Sequence, residues 1–109
     1  MAYTELTTLC GPFYFMTNAF SFESIQAEDK VKSLTPSIYI ESNTPADKAF
    51  ISCEGEVRWR YDGGDPTSTV GHLMRDGSCL ILHGKIQIET FRFINSGNQP
   101  AILSISYER

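Results

Sequence analysis

The chain has 109 residues, of which 41% are hydrophobic and 12% aromatic, and its formal net charge is −4. This length is typical of one domain with a single core, and the composition excludes a disordered chain. The 13 acidic residues outnumber the 9 basic ones, which form no cluster, so we expect no nucleic-acid partner. The apolar runs are far shorter than the ~20 residues of a membrane helix, so we expect no membrane partner.

The first eighteen residues are rich in apolar side chains but have no clean hydrophobic period, and Gly11-Pro12 interrupts them. They lack the basic and apolar regions of a signal peptide. One interpretation is an edge strand that packs against its own domain. The other is an arm that is buried against a second subunit, because exposed aromatic clusters mark association surfaces. We divide the chain into this segment, residues 1–18, and a single domain, residues 19–109. The contact residues of such an arm would be Tyr3, Leu6, Leu9, Phe13 and Phe15.

Short segments of alternating polarity recur along the remaining chain and predict strands. The predicted strands are residues 19–25, 37–41, 49–54, 56–61, 79–83, 86–94 and 101–107. The unbroken apolar run at 79–83 predicts a strand that is buried on both faces or lies inside a sheet. Residues 24–34 have a weak helical pattern, which predicts at most a turn or two of helix.

The strand at 56–61 has the clearest alternation, with Val57, Trp59 and Tyr61 on one face and Arg58 and Arg60 on the other. Turn residues separate the predicted strands at short spacing. Seven to eight strands with little helix predict an all-β fold, an antiparallel β-sandwich or a jelly-roll-like arrangement.

The three cysteines, Cys10, Cys53 and Cys79, are odd in number and widely spaced. Cys53 and Cys79 lie within apolar strand patterns, so we expect both to be small buried side chains. This pattern favours folding in a reducing cytoplasm.

The cysteines and histidines also raise the question of a metal site. A zinc site would have to use His72, His83, Cys53 and Cys79, and such sites pair ligands at short spacing in a turn. Cys79 and His83 are four residues apart on a predicted strand, which separates them by more than about 10 Å. We therefore expect no metal ion and no cofactor.

The predicted strand at 56–61 leads into a loop with the sequence R-Y-D-G-G-D-P-T-S-T-V-G-H at residues 60–72. Calcium would find carboxylates at Asp62 and Asp65, but the distal bidentate Glu of a calcium loop is missing. A turn in which Asp62 accepts backbone amides and the glycines have positive φ is favoured. Ser68 and His72 share the loop with these carboxylates, but no nucleophile elbow is present, so we expect no enzyme.

Trp59 and Tyr61 suggest an alternative binding function, because aromatic rings beside planar polar groups stack on sugars. The apolar neighbours of Trp59 two residues away favour a place in the core instead. Trp59 and Tyr61 remain the candidate carbohydrate contacts.

The order of four segments in residues 49–108 resembles small virion structural proteins of tailed bacteriophages. These segments are E-V-R-W-R-Y, D-G-G-D-P-T-S-T-V-G-H, I-E-T-F-R-F-I and A-I-L-S-I-S-Y-E. The resemblance implies a non-enzymatic capsid decoration or cement protein that folds in the host cytoplasm and resides in the virion. The alternatives are a head–tail or tail accessory protein, or a carbohydrate-binding module of a host-recognition device.

With this resemblance we expect a homo-oligomer, with a trimer favoured, that binds the major capsid protein or another virion protein. A stiff loop loses little entropy when it docks. The candidate contact residues in the loop are Asp62, Pro66, Thr67 and His72. The other interpretation is a rigid connection between two sheets that has no partner.

Overall fold

The computed structural model of the protein describes residues 18–109. This part of the chain contains ten strands and two short helices. The strands are β1 (Ala19–Ala27), β2 (Lys32–Ser33), β3 (Ile40–Glu41), β4 (Thr44–Pro45), β5 (Lys48–Glu54), β6 (Val57–Arg60), β7 (His72–Met74), β8 (Cys79–His83), β9 (Arg92–Asn95) and β10 (Ala101–Glu108). The helices are α1 (Pro36–Tyr39) and α2 (Gly84–Thr90).

The strands form two four-stranded antiparallel sheets and one small ribbon. The first sheet has the order β1-β10-β5-β8, the second has the order β2-β9-β6-β7, and β3 pairs with β4. In the first sheet Leu103 lies opposite Ile25 on one side and Cys53 on the other. The predicted antiparallel sandwich with little helix is confirmed.

The core lies between the inner faces of the two sheets. β5 and β10 contribute alternate residues such as Ile51 and Ile105, and the second sheet contributes Val57 and Phe93, all 0% exposed. Full burial of such a side chain is worth about 1.5–3 kcal/mol relative to exposure. The period-two pattern of these strands therefore places one set of their apolar side chains in the core.

One carboxylate is buried at the edge of this core. Glu23 on β1 accepts hydrogen bonds from the Tyr107 hydroxyl at 2.5 Å and from the Thr35 hydroxyl at 2.7 Å and amide at 3.1 Å. Burial and the adjacent Glu23 raise the pKa of Tyr107. The network joins the first sheet to the segment between β2 and α1.

Of two local predictions in the first half of the chain, the upper limit of a turn or two of helix at 24–34 holds, and the strand at 37–41 is half wrong. Residues 24–34 contain no helix, because β1 extends to Ala27 by pairing with β10. Residues 37–41 form a strand only at their end. The preceding helix α1 begins at Pro36, which fits the first helical position, and the Tyr39 amide bonds to the Thr35 carbonyl.

The predicted strand at 86–94 is also half wrong. Its first part is helix α2, in which Ile88 is buried whereas Ile86 is 74% exposed. The Gln87 side chain accepts a hydrogen bond from the His83 amide, and the Thr90 hydroxyl bonds to the Ile86 carbonyl. The Gln87 contact satisfies the amide of the residue before the helix, and the Thr90 contact is made to a carbonyl within it. None of the helices within residues 18–109 has the length and apolar character needed to cross a membrane.

β8 was predicted to be buried on both faces or to lie inside a sheet, and the inner position is not observed within residues 18–109. Among the described strands it pairs with β5 and forms the edge of the first sheet. Within β8 Leu82 is buried, whereas Cys79 is half-buried and its sulfur is in a disulfide bond. Cys53 is a free, buried cysteine, so the expectation of small buried cysteines is confirmed for Cys53 alone.

Candidate protein-contact site

The loop between β6 and β7 is held against the second sheet. The Arg58 guanidinium, on the outer face of β6, donates a hydrogen bond of 3.0 Å to the Gly71 carbonyl at the end of the loop. The Pro66 ring, in the middle of the loop, is buried. These two contacts fix the loop at points that are five residues apart in sequence.

The beginning of the loop is fixed by an ion pair. Arg60 donates from Nε and Nη2 to the two oxygens of Asp62, at 3.0 and 2.6 Å. The Gly64 amide donates to the same carboxylate at 3.1 Å, and Arg60 Nη1 donates to the Asp65 carbonyl. The Arg60 hydrogen bond and the Gly64 amide lower the pKa of Asp62 to about 2. The favoured interpretation of Asp62 as a turn residue is confirmed, and Gly63 has the positive φ expected there.

The tip of the loop is a closed turn. The Thr67 amide donates to the Val70 carbonyl at 2.9 Å, and the Val70 amide donates to the Thr67 hydroxyl at 3.0 Å. Thr69 also donates its amide to this hydroxyl. The turn presents the Val70 side chain, which is 57% exposed.

Aromatic side chains cluster where the loop leaves and rejoins the sheet. The Trp59 ring lies 4.8 Å from the His72 ring and 5.7 Å from each of the Tyr61 and Phe91 rings. Phe91 is fully buried, Trp59 is half-buried against the core, and Tyr61 and His72 are exposed. Trp59 therefore packs as a core residue, and its two neighbours extend the cluster to the surface.

We refer to five exposed side chains of this region, Tyr61, Asp62, Thr67, Val70 and His72, as the loop surface. Four of the residues predicted from sequence belong to it: Asp62, Thr67 and His72 as protein contacts and Tyr61 as a carbohydrate contact. Pro66 does not, because its ring is buried. The arm residues Tyr3, Leu6, Leu9, Phe13 and Phe15 lie outside the described residues.

The groups considered for chemistry have other roles. Asp62 is bound by Arg60, and the His72 ring packs against the Trp59 ring. Asp62 therefore does not orient His72 toward Ser68, as a catalytic triad would require. Within residues 18–109 no three His, Cys, Asp or Glu side chains are close enough to hold one metal ion.

Val70 was not predicted from the sequence, because it lies within a run of turn residues and belongs to no periodic pattern. Its one signal is an isolated aliphatic residue between Thr67 and Gly71, two residues that close a turn. The contact of α2 with this end of the sandwich was not predicted from the sequence either. The Thr90 hydroxyl, whose single proton is shared between the Ile86 and Tyr61 carbonyls, lies 2.8 Å from the Tyr61 carbonyl oxygen and supports the backbone below the loop surface.

Comparisons of the chain with protein-family models, curated proteins and solved structures find no match.

Proposed function

We propose that the protein is a non-enzymatic virion structural protein that binds a capsid lattice through the loop surface, as a decoration or cement protein. The observation that carries the proposal is the loop itself, which is hydrogen-bonded at its beginning, its tip and its end. A surface that is ordered before it binds loses little conformational entropy on docking. The resemblance of residues 49–108 to small phage virion proteins supports the virion as its location.

The composition of the loop surface fits a protein partner. Apolar and aromatic side chains, Val70 and Tyr61, are exposed among polar ones, Asp62 and Thr67. Protein interfaces combine an apolar or aromatic centre with a polar rim in this way. The partner of this surface would be the major capsid protein or another virion protein.

We propose further that the protein acts as a homo-oligomer, with a trimer favoured. A capsid lattice repeats the same contact many times, so several weak loop contacts on one oligomer would act together. The chain would fold in the host cytoplasm before it joins the particle. A position at the head–tail joint or on the tail would use the same surface with a different partner.

Co-sedimentation with particles that lack the protein tests the proposal. Val70→Asp places a charge in the centre of the loop surface and should weaken binding by roughly tenfold or more, about 1.4 kcal/mol. Ile40→Asp is the matched control, because Ile40 is an exposed aliphatic residue in β3, outside the loop surface. Equal binding of the two variants and the parent would refute the role of the loop surface.

A carbohydrate-binding module of a host-recognition device is the second candidate. Tyr61 is 45% exposed beside Trp59, and the Arg60–Asp62 pair provides planar polar groups next to it. This combination suits the apolar face and the hydroxyls of a sugar ring. Glycan-array binding that is lost in Tyr61→Ala, with the circular dichroism unchanged, would support this function. Glycan binding that survives in Tyr61→Ala, or a parent protein that binds no glycan, would exclude it.

A further inference from the structure

β1 is an edge strand of the first sheet and the longest strand within residues 18–109. It has nine residues, and among the described strands it pairs with β10 alone. Its other side therefore carries a row of backbone amides and carbonyls that no other strand in this part of the chain uses. An edge of this kind can pair with a strand of another chain. β2 and β7, the edges of the second sheet, have only two and three residues.

The hydrogen-bond pattern shows which residues of β1 direct their backbone groups away from β10. In an antiparallel sheet the amide and carbonyl of one residue point to the same neighbouring strand, and this direction alternates along the strand. The Lys32 ammonium donates to the Gln26 carbonyl at 2.8 Å, so Gln26 directs its backbone groups away from β10. By the same alternation the backbone groups of Ser24 and Phe22 also point outward.

The opposite half of the sheet leads to the same assignment. Both backbone groups of Cys53 on β5 bond to the turn that leads into β8. Leu103 on β10 lies opposite Cys53, so its own backbone groups bond to β1, where Ile25 lies opposite. The residues on either side of Ile25 therefore direct their backbone groups outward.

The outward side of β1 is open at its centre. Within residues 18–109 the backbones of Phe22 and Ser24 have no hydrogen bond on this side, and both side chains are exposed. Lysine side chains at an edge strand hinder pairing with other chains. Lys32 has this position only at the Gln26 end of β1.

We propose that β1 pairs with β1 of a second copy of the chain, antiparallel about a two-fold axis beside Ser24. In this register Ser24 lies opposite its own counterpart, and Phe22 lies opposite Gln26 of the second copy. The three outward residues of each copy then form about six hydrogen bonds between the copies. A carbonyl oxygen accepts two hydrogen bonds, so the Gln26 carbonyl can retain its bond to Lys32.

A second copy is the partner that fits, because β1 is complementary to itself. Phe22, Ser24 and Gln26 are uncharged, so the two-fold register places no like charges opposite each other. The Phe22 side chain is 59% exposed in the single chain and would be covered in part by Gln26 of the second copy. Two-fold contacts between identical surfaces are the commonest contacts of soluble homo-oligomers.

This inference goes beyond the proposed function, which assigns no surface to the contact between copies. A two-fold contact gives a dimer, or it joins trimers into a hexamer that has both kinds of axis. The pairing requires no capsid and is measured on the purified protein, so its failure is distinct from a failure of the loop surface to bind.

Size-exclusion chromatography with light scattering tests the proposal on the full chain. We expect an even number of copies in the parent. Ser24→Pro removes the central amide and should halve the mass, and an edge strand tolerates a proline where the amide faced outward. Ser24→Ala is the matched control, because it retains the amide and should keep the parent's mass. A monomeric or trimeric parent, or a folded Ser24→Pro with the parent's mass, would overturn the proposal.

Charges at the same position test the register. Ser24→Lys and Ser24→Asp each place like charges opposite each other across the axis, so either variant alone should have half the parent's mass. An equimolar mixture of the two places opposite charges there and should regain the parent's mass. Circular dichroism verifies that each variant is folded. Single variants that keep the parent's mass, or a mixture that does not regain it, would overturn the proposal, and this comparison decides if Ser24→Pro does not fold.

Discussion

The Tyr107 hydroxyl donates a hydrogen bond of 2.5 Å to the Glu23 carboxylate, and the two residues are 84 positions apart in sequence. Glu23 is 8% exposed and Tyr107 is fully buried, so this bond joins a charged group to the core. A buried carboxylate is tolerated when donors surround it, and here Thr35 provides the other two.

Removal of the Tyr107 hydroxyl should therefore be costly. We expect Tyr107→Phe to lower the free energy of unfolding by about 1.5–3 kcal/mol, because a hydrogen bond to a buried charged group is lost. Urea denaturation measures this change. Tyr39→Phe is the control, since the Tyr39 ring packs 5.8 Å from Tyr107 but its hydroxyl has no hydrogen bond within residues 18–109. Equal losses in the two variants would refute the role assigned to the Glu23 contact.

The Arg60–Asp62 pair should make the order of the loop sensitive to acid. The pKa of Asp62 falls from its ordinary value of 3.8 to about 2 in the folded protein, chiefly through the Arg60 hydrogen bond. A lowered carboxyl pKa stabilises the folded loop fully above 3.8, and this contribution is lost as the pH falls through about 2.

Carbon-detected NMR titration of the Asp62 carboxyl measures this pKa, and hydrogen exchange at the Gly64 amide reports the order of the loop. Asp62→Asn should accelerate that exchange at neutral pH. Asp65→Asn should not, because Arg60 contacts the backbone carbonyl of Asp65 and not its side chain. A titration midpoint near 3.8 for Asp62 would show that the ion pair does not persist in solution.

Two glycines with similar φ angles should lose different amounts of stability when each is replaced by alanine. Gly55 has a φ of +88°, and an added Cβ would lie 2.6 Å from the Pro100 carbonyl oxygen and 2.8 Å from the Ala101 Cα. Gly77 has a φ of +83° and nothing within 4 Å of the same position. Gly77→Ala should cost about 1–2 kcal/mol for the left-handed backbone alone.

Gly55→Ala adds a collision with the backbone before β10 and should cost clearly more than Gly77→Ala. Thermal or urea unfolding of the two variants provides the comparison. Equal losses would mean that the turn between β5 and β6 shifts freely away from β10.

The buried thiol of Cys53 should react slowly. Burial, with a smaller contribution from Asp76, raises its pKa from 9.0 to about 11. At pH 9 the folded thiol would be roughly fifty-fold less ionised than in the unfolded chain, and the thiolate is the reactive form. Alkylation followed by peptide mapping identifies Cys53 separately from the other cysteines.

The same shift predicts a loss of stability in alkali. Between pH 9 and about 11 the unfolded chain releases the Cys53 proton and the folded chain retains it, so unfolding becomes more favourable as the pH rises. Cys53→Ala should remove this part of the pH dependence. A Cys53 that reacts as fast in the folded protein as in urea would contradict both expectations.

The strands that sequence predicts well are those in which local pattern and tertiary burial agree. In β5 and β10 one set of alternate residues is apolar, and the structure buries that set; in β6 it buries Val57 and half-buries Trp59. Ile86 and Ile88 show where periodicity predicts the wrong element, because both would face the core in a strand. Helix α2 buries Ile88 and exposes Ile86, and the side chains of Gln87 and Thr90 that satisfy its backbone carry no periodic signal.

The candidate site was predicted in outline, since the turn residues from Asp62 to His72 mark an ordered loop. The burial of Pro66 and the exposure of Val70 were not predictable, because both depend on how the loop folds back over the second sheet. The burial of Glu23 was not predictable for a related reason. Its donors, Thr35 and Tyr107, are distant in sequence, and nothing local distinguishes it from a solvated residue.

The position of β10 determines when the first sheet can form during protein synthesis. β10 pairs with β1 on one side and with β5 on the other, yet it follows both of them along the chain. A ribosome must therefore release residue 108 from its exit tunnel before these strands can assemble. Until then β1 and β5 lack the strand that lies between them. A nascent chain that stops before β10 could not form the sheet that contains both.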